Sequence, residues 1–262
     1  SPRERLIAVI TNNLVPCNGR FPLIIVLSAA FFAYTGTFID SIIPALFITL
    51  MVIIGVFATL SVSYLLSGTI LKGIPSTFTL ELPPYRAPQL GRIIYSSIID
   101  RTVFVLSRAA VIAAPAGAIT WLLANIYVGD FSILIHAANL LEPLGRIIGL
   151  DGFILMTFIA GFPANETVIP VLLMAYMTTG RLTDFESIDS LRQILVSNGW
   201  TRLTAINAML FSLLHWPCST SLWTIKKETG SLKWTLAAFI IPTGIAFLVC
   251  FITAGLYRLV SG

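Results

Sequence analysis

Charge is what this chain lacks most. Asp, Glu, Lys and Arg make up only 11% of its 262 residues, against about 25% in a soluble domain. A soluble fold so poor in charge would have too little polar surface to stay dissolved. Histidine is scarce, at two residues, and cysteine occurs three times, at Cys17, Cys218 and Cys250. An odd number of cysteines does not make a disulfide framework. Two histidines without an obvious acid–base chain leave no catalytic constellation. There is no G-x-x-x-x-G-K-S/T phosphate loop, so nucleotide chemistry is not expected in this chain. Aromatic and basic residues do not interleave as single-strand binding requires, so the net charge of +4 does not point to nucleic acid. The charged start, Ser1 to Arg5, followed by no small-residue cleavage site, excludes a signal peptide. The chain reads as a fragment of something longer.

What is there is apolar length. Hydrophobic residues are 56% of the chain and mean hydropathy is +0.91. Charge is missing from 22–39, 41–71, 152–165, 203–225 and 235–257, and Arg108 alone interrupts 103–129. Several of these runs reach the ~20 residues that cross a bilayer as a helix. The expected fold is therefore all-α, a polytopic transmembrane helical bundle with broken or re-entrant helices.

Residues 3–14 suit a short amphipathic helix at a membrane surface. Spans are expected over 22–39, 41–71, 103–127, 203–225 and 234–258, the third bent or unwound near Pro115 and the fourth broken at 215–218. The connection 72–101, with Pro75, Pro83, Pro84 and Pro88, carries an excess of basic residues that suggests the cytoplasmic side. Residues 131–150 are too interrupted to span and suit an interfacial or re-entrant segment. Residues 182–198 carry one apolar face and suit a surface helix. The chain divides into 1–102 and 103–262, the second a gate-type segment with broken helices. Whether 152–179 crosses or re-enters decides which side holds Lys226, Lys227 and Lys233, and the charges do not settle it; a kinked full crossing is the weakly favoured expectation.

Three interruptions could carry chemistry. A proline inside a span removes a donor and frees the carbonyl four residues back, and broken helices are how many transporters build ion sites. In GFPANE, Pro163 frees the carbonyl of Ile159, Asn165 is placed to cap the following half-helix, and Glu166 is the sole acidic residue between Asp151 and Asp184. A carboxylate at mid-depth is costly and functional by default, unless it sits at an interface or pairs with an arginine. In HWPCST, Pro217 frees the carbonyl of Leu213, and His215 and Cys218 share a face if the helix runs through them. Imidazole and thiolate suit a borderline transition metal rather than Mg²⁺ or Ca²⁺; a satisfied buried histidine and a packed thiol are the plain alternative. In PCNGR, Cys17 precedes the first span and Arg20 could bind a phosphate headgroup, or the segment is a surface turn. Cys250 reads as packing and His136 as interfacial.

At these breaks the sequence resembles the FeoB family of bacterial ferrous iron transporters. The matching stretches are RERLIAVITNNLVPCNGRFPLII, LSRAAVIAAPAGAITWLLANI, LEPLGRIIGLDGFILMTFIAGFPANETVIPVLLMAY and LFSLLHWPCSTSLWTIKKETGSLKWT, spread from residue 3 to 235. The resemblance implies the membrane region of an iron transporter, the second gate over about residues 105–230, and an N-terminal GTP-binding domain outside this chain. It implies that Cys17 and Cys218 line the iron path. Together with His215, Glu166 and Asn165 they are the expected metal-contacting residues. The expected partners are Fe²⁺ as cargo, membrane lipid, the GTP-binding domain and a possible second copy of the chain. No catalytic residue or cofactor is expected. The expected location is the bacterial inner membrane. A nucleoside-type transporter or a non-conducting membrane anchor for a GTPase are the competing readings.

Overall fold

The structure is a computed structural model that describes residues 2–33, 38–69, 71, 89–177 and 187–261. The proline-bearing connection of 72–88, the residues Leu182 and Phe185 of the expected surface helix, and Arg181 lie outside the described residues.

The described residues are almost wholly helical, as the composition requires. Helix α1 (Pro2–Thr11) and a 3₁₀ turn (Asn12–Leu14) lead through the PCNGR turn to α2 (Phe21–Phe32). Helix α3 (Phe38–Gly68) and, after the undescribed connection, α4 (Leu90–Ser96) follow. A π-helical segment (Ser97–Val103) joins α4 to α5 (Phe104–Asn125). A two-residue hairpin, Tyr127–Val128 against Phe131–Ser132, turns the chain into α6 (Ile133–Ile147). Then come α7 (Gly152–Ala160), a 3₁₀ turn (Asn165–Thr167), α8 (Val168–Met177), α9 (Ile188–Ser197), α10 (Arg202–Leu214), α11 (Ser219–Thr229) and α12 (Leu232–Ser261).

Among the described residues, two helices are long and apolar enough to cross a membrane, Ile42–Gly68 and Leu232–Val260. At ~1.5 Å per residue they exceed the ~30 Å hydrocarbon core. On α3 the residues Leu46, Ile53, Phe57 and Leu60 are all more than half exposed, a face that needs lipid around it. The expected first span is shorter than 22–39. Helix α2 has 12 residues and closes at Ala33, so it rises only ~18 Å and cannot cross alone. Instead it buries Leu23, Ile24, Leu27 and Phe31 against α3 and α10. Helix α5 is not unwound at Pro115. It runs unbroken through Pro115, because one proline removes a single ladder bond and its lost partner leaves the other turns intact.

Local signals set most helix ends. Asp151 Oδ1 accepts from the Ile154 N–H at 2.6 Å and starts α7. Reciprocal capping boxes start α9 (Ser187 with Ser190) and α10 (Thr201 with Thr204). Gly230, at φ +62°, closes α11 in the left-handed conformation that glycine tolerates. Helices α6 and α7 form a pair bent by 114° at the break between them, a geometry shared by a broken span and a re-entrant loop. Close approach requires glycine there: a Cβ on Gly152 would fall 1.9 Å from the Ala138 carbonyl oxygen.

Helix α10 is the centre of the core. Ala205, Asn207, Ala208, Met209, Phe211 and Leu213 on it are at most 1% exposed. Asn207 donates to the Ile148 carbonyl at 2.8 Å and accepts from Thr253 Oγ1 at 2.6 Å, fastening α10 to α12 and to the end of α6. Cys250, fully buried on α12, points its thiol at the Asn207 carbonyl, the packing role its apolar surroundings predict.

Candidate functional site: three chain breaks meet

Both predicted proline breaks are real. Helix α10 stops at Leu214, and His215 is extended at φ −69° and ψ −177°. Trp216 follows, and Pro217 biases that preceding residue away from the helical region. Helix α11 then begins after Cys218. Because the helix does not continue through 215–218, His215 and Cys218 do not share a helix face. The other break separates α7 from α8 over 161–167. PCNGR forms a tight turn in which Arg20 and Phe21 both donate to the Cys17 carbonyl, at 2.9 and 3.3 Å.

These three interruptions, far apart in sequence, meet. The Ser219 N–H donates to the Phe162 carbonyl at 2.9 Å and Ser219 Oγ to the Pro163 carbonyl at 3.4 Å, joining HWPCST to GFPANE. Gly19 lies against GFPANE so closely that a Cβ there would sit 3.2 Å from Glu166 Oε1 and 3.5 Å from Asn165 Cβ. Arg20 ties PCNGR to HWPCST. Its Nη1 donates to the carbonyls of Asn13 (2.6 Å) and Leu213 (2.7 Å), and its Nη2 to those of His215 (2.9 Å) and Trp216 (3.1 Å). Arg20 is 2% exposed, so it does not reach a lipid headgroup. The Leu213 carbonyl freed by Pro217 is taken by this guanidinium. The Ile159 carbonyl freed by Pro163 accepts from the Phe162 N–H at 3.1 Å.

The predicted site residues take different places here. His215 is buried, and its Nδ1 lies 3.0 and 2.8 Å from the Phe211 and Ser212 carbonyls. Carbonyls only accept, so Nδ1 carries the proton and Nε2 keeps its lone pair. That Nε2 has no partner, in a nest of Phe158, Phe211 and Trp216 rings. Cys218 is half-buried at the start of α11, its Sγ 3.0 Å from Thr220 Oγ1 and 3.2 Å from Ser221 Oγ. Cys17 is exposed. Glu166 is exposed on the 3₁₀ turn. Asn165 does not cap the half-helix. It is 6% exposed with Oδ1 unpartnered, and the turn is closed instead by Thr167 Oγ1 donating to the Ala164 carbonyl at 2.8 Å. His136 is exposed and sits 2.9 Å from the Val128 carbonyl.

Unsatisfied polarity concentrates in the same place. The buried side-chain polar atoms without a partner, among the described residues, are Asn13 Nδ2, Arg20 Nε, Asn165 Oδ1, His215 Nε2 and Trp216 Nε1. All belong to the three breaks or to the 3₁₀ turn that Arg20 clamps. Buried polar groups without partners are rare, and strain, an ordered water or a bound ion can account for them. Also among the described residues, no three of His, Cys, Asp and Glu come close enough to hold a metal ion together. Sequence reasoning missed Arg20 as the organiser, and Asn13 and Trp216 as members; the one signal was that Pro217 must leave Leu213 a carbonyl to be satisfied.

The family model for "Nucleoside recognition", named Gate, matches residues 93–232, a little over half of the chain. The chain belongs to the Gate family. The matched region holds GFPANE and HWPCST, while PCNGR precedes it. A second family model, the C terminus of ferrous iron transport protein B, matches residues 48–100. Curated relatives named Fe(2+) transporter FeoB include those of Staphylococcus aureus strain MSSA476 (27% identical, 95% of this chain and 36% of the relative) and Leptospira biflexa (24% identical, 98% and 39%). That of Leptospira interrogans is 25% identical, over 98% of this chain and 40% of its own length. The chain thus spans well under half the length of these relatives. Its resemblance to the C-terminal membrane region of FeoB is borne out. No solved structure matches the chain.

Proposed function

We propose that this chain is the translocation region of a ferrous iron uptake transporter, a multi-pass protein of the bacterial inner membrane. Fe²⁺ passes along a path that takes in Cys17, Cys218, His215, Glu166, Asn165 and backbone carbonyls at the helix breaks. The relatives' name supplies the cargo. The observation that carries the reading is the meeting of three polar chain breaks in an otherwise apolar bundle, because irregular backbone at membrane depth is tolerated only where protein or a polar cavity surrounds it. Thiol and imidazole favour Fe²⁺ over Mg²⁺, while the oxygen ligands keep each contact weak enough to release. Energy would come from an N-terminal GTP-binding domain, and association with a second copy is part of the same reading.

The test is Fe²⁺ uptake by the full-length transporter with Cys218→Ser and Glu166→Gln. Each should slow uptake at least several-fold, and wild-type rates in both would remove these side chains from the path. A second reading, transport of a neutral organic solute, is favoured by the Gate description and by a cavity of 280 Å³ lined by Tyr127, Asp130, Ser132 and Met174. Competition between nucleoside and Fe²⁺ for the detergent-solubilised protein separates the two.

A further inference from the structure

Two guanidinium nitrogens of Arg20 contact four carbonyl oxygens, of Asn13, Leu213, His215 and Trp216, at 2.6–3.1 Å. Three of these carbonyls belong to the C-terminal end of the α10 half-helix and the extended residues after it. A helix C-terminus carries partial negative charge, and unwound carbonyls beside such an end are where broken-helix transporters hold cations. This cluster therefore has the donor set and the field of a cation site, and a positive side chain fills it.

Arg20 is an odd choice for a purely structural plug. The guanidinium is buried, and no carboxylate lies within ion-pair distance of it among the described salt bridges, which are Arg5 with Glu228 and Arg146 with Glu142. Four carbonyl dipoles face its charge directly. Its Nε–H has no partner, and the nearby Asn13, Asn165, His215 and Trp216 each carry an unpartnered buried polar atom. A neutral amide could satisfy carbonyls without the cost of a buried charge. Arg20 follows Gly19 in a turn, and Gly19 lies against Glu166, an exposed carboxylate one residue from Asn165.

We infer that this carbonyl cluster is a cation site whose resident occupant is the Arg20 guanidinium, and that a cargo cation enters it by displacing that side chain. Arg20 is then a gate. In the closed state it occupies the carbonyls and repels incoming cations. In the open state it swings out of the cluster and the cargo takes its place. The inference deepens the transport reading and rests on it for the identity of the cargo.

The test needs no variant. The full-length transporter is reconstituted in liposomes, held anaerobically with GTP, and treated with hydroxyphenylglyoxal with and without Fe²⁺. Modification at each arginine is read by peptide mass spectrometry, and iron uptake is followed in the same vesicles. Arg5 and Arg146, whose side chains are 58% and 77% exposed, should react in both states. Arg20 should be protected without Fe²⁺ and gain modification several-fold with it. Uptake with Arg20 protected throughout overturns the gate and leaves the transport reading standing. Modification that rises with Fe²⁺ but without uptake supports the cation site and overturns transport. Neither uptake nor a change at Arg20 overturns both.

Discussion

The guanidinium of Arg20 bonds the carbonyl of Leu213 at 2.7 Å across 193 residues of chain. The carbonyl is one that Pro217 prevents the helix from satisfying, so a charge at one break completes the backbone of another. Removing it should be expensive. We predict that Arg20→Met lowers stability by about 3 kcal/mol or more, since each buried carbonyl left without its donor costs ~1–3 kcal/mol. Arg20→Lys should fall between, because an ammonium has three donors and no planar fork. Thermal melting in detergent reads both. A shift under about 2 °C for Arg20→Met, less than ~1 kcal/mol in a chain of this length, would show that the carbonyls find other partners.

Two glycines should respond oppositely to alanine. A Cβ on Gly152 would lie 1.9 Å from the Ala138 carbonyl oxygen and 2.8 Å from the Glu142 nitrogen, both backbone atoms that cannot step aside. Gly152→Ala should force α6 and α7 apart and cost more than the ~1–3 kcal/mol of ordinary overpacking. A Cβ on Gly117, within α5, would meet nothing within 4 Å, so Gly117→Ala should be neutral or gain up to ~1 kcal/mol from helix propensity. Melting of both variants beside the parent decides. Equal shifts would mean that the bent helix pair is not packed this closely.

What the sequence revealed follows the range of each signal. Helices α3 and α12 were legible because an unbroken apolar run has one solution in lipid. The breaks at 161–164 and 215–218 were legible because Pro163 and Pro217 sit beside polar residues that can serve the freed backbone. Pro115 carries the same local warning, yet α5 passes through it; the Ala-rich turns around it keep their own bonds. Asn165 was misjudged as a cap because the capping preference describes residues free to turn outward, whereas here Gly19 of a remote segment packs on it. Arg20 was misjudged as a surface anchor for the same reason. Its partners lie 7, 193, 195 and 196 residues away, and no local pattern encodes them.

A hydrogen-bonded chain outside the breaks should also be measurable. Trp200 Nε1 donates to Tyr176 Oη at 2.8 Å, and that hydroxyl donates to Asp151 Oδ2 at 2.6 Å. The chain joins α8, the start of α10 and the cap of α7. Tyr176→Phe strands both the indole N–H and the carboxylate oxygen, and should cost about 1–3 kcal/mol. Trp200→Phe breaks only the first link, and the double variant should cost less than the sum of the singles. Strict additivity of the three melting shifts would show that the links act independently.

The cysteines offer a direct check on how the breaks are arranged. Cys17 is exposed, Cys218 half-buried and Cys250 buried. Thiol alkylation runs through the thiolate and needs access. Cys17 is open on the PCNGR turn, so it should be modified by a maleimide first. Cys218 shares its sulfur with Thr220 and Ser221 and should follow more slowly. Cys250, closed in by α10 and pointing at the Asn207 carbonyl, should stay unmodified until the protein unfolds. If the cargo meets Cys17 and Cys218 on one path, Fe²⁺ should slow modification of both and leave Cys250 as it was. The measurement is time-resolved peptide mass spectrometry on the detergent-solubilised protein under anaerobic conditions. Rapid modification of Cys250 in the folded state would contradict the packing of α12 on α10. Protection of one of the other two thiols without the other would place the unprotected one off the iron path.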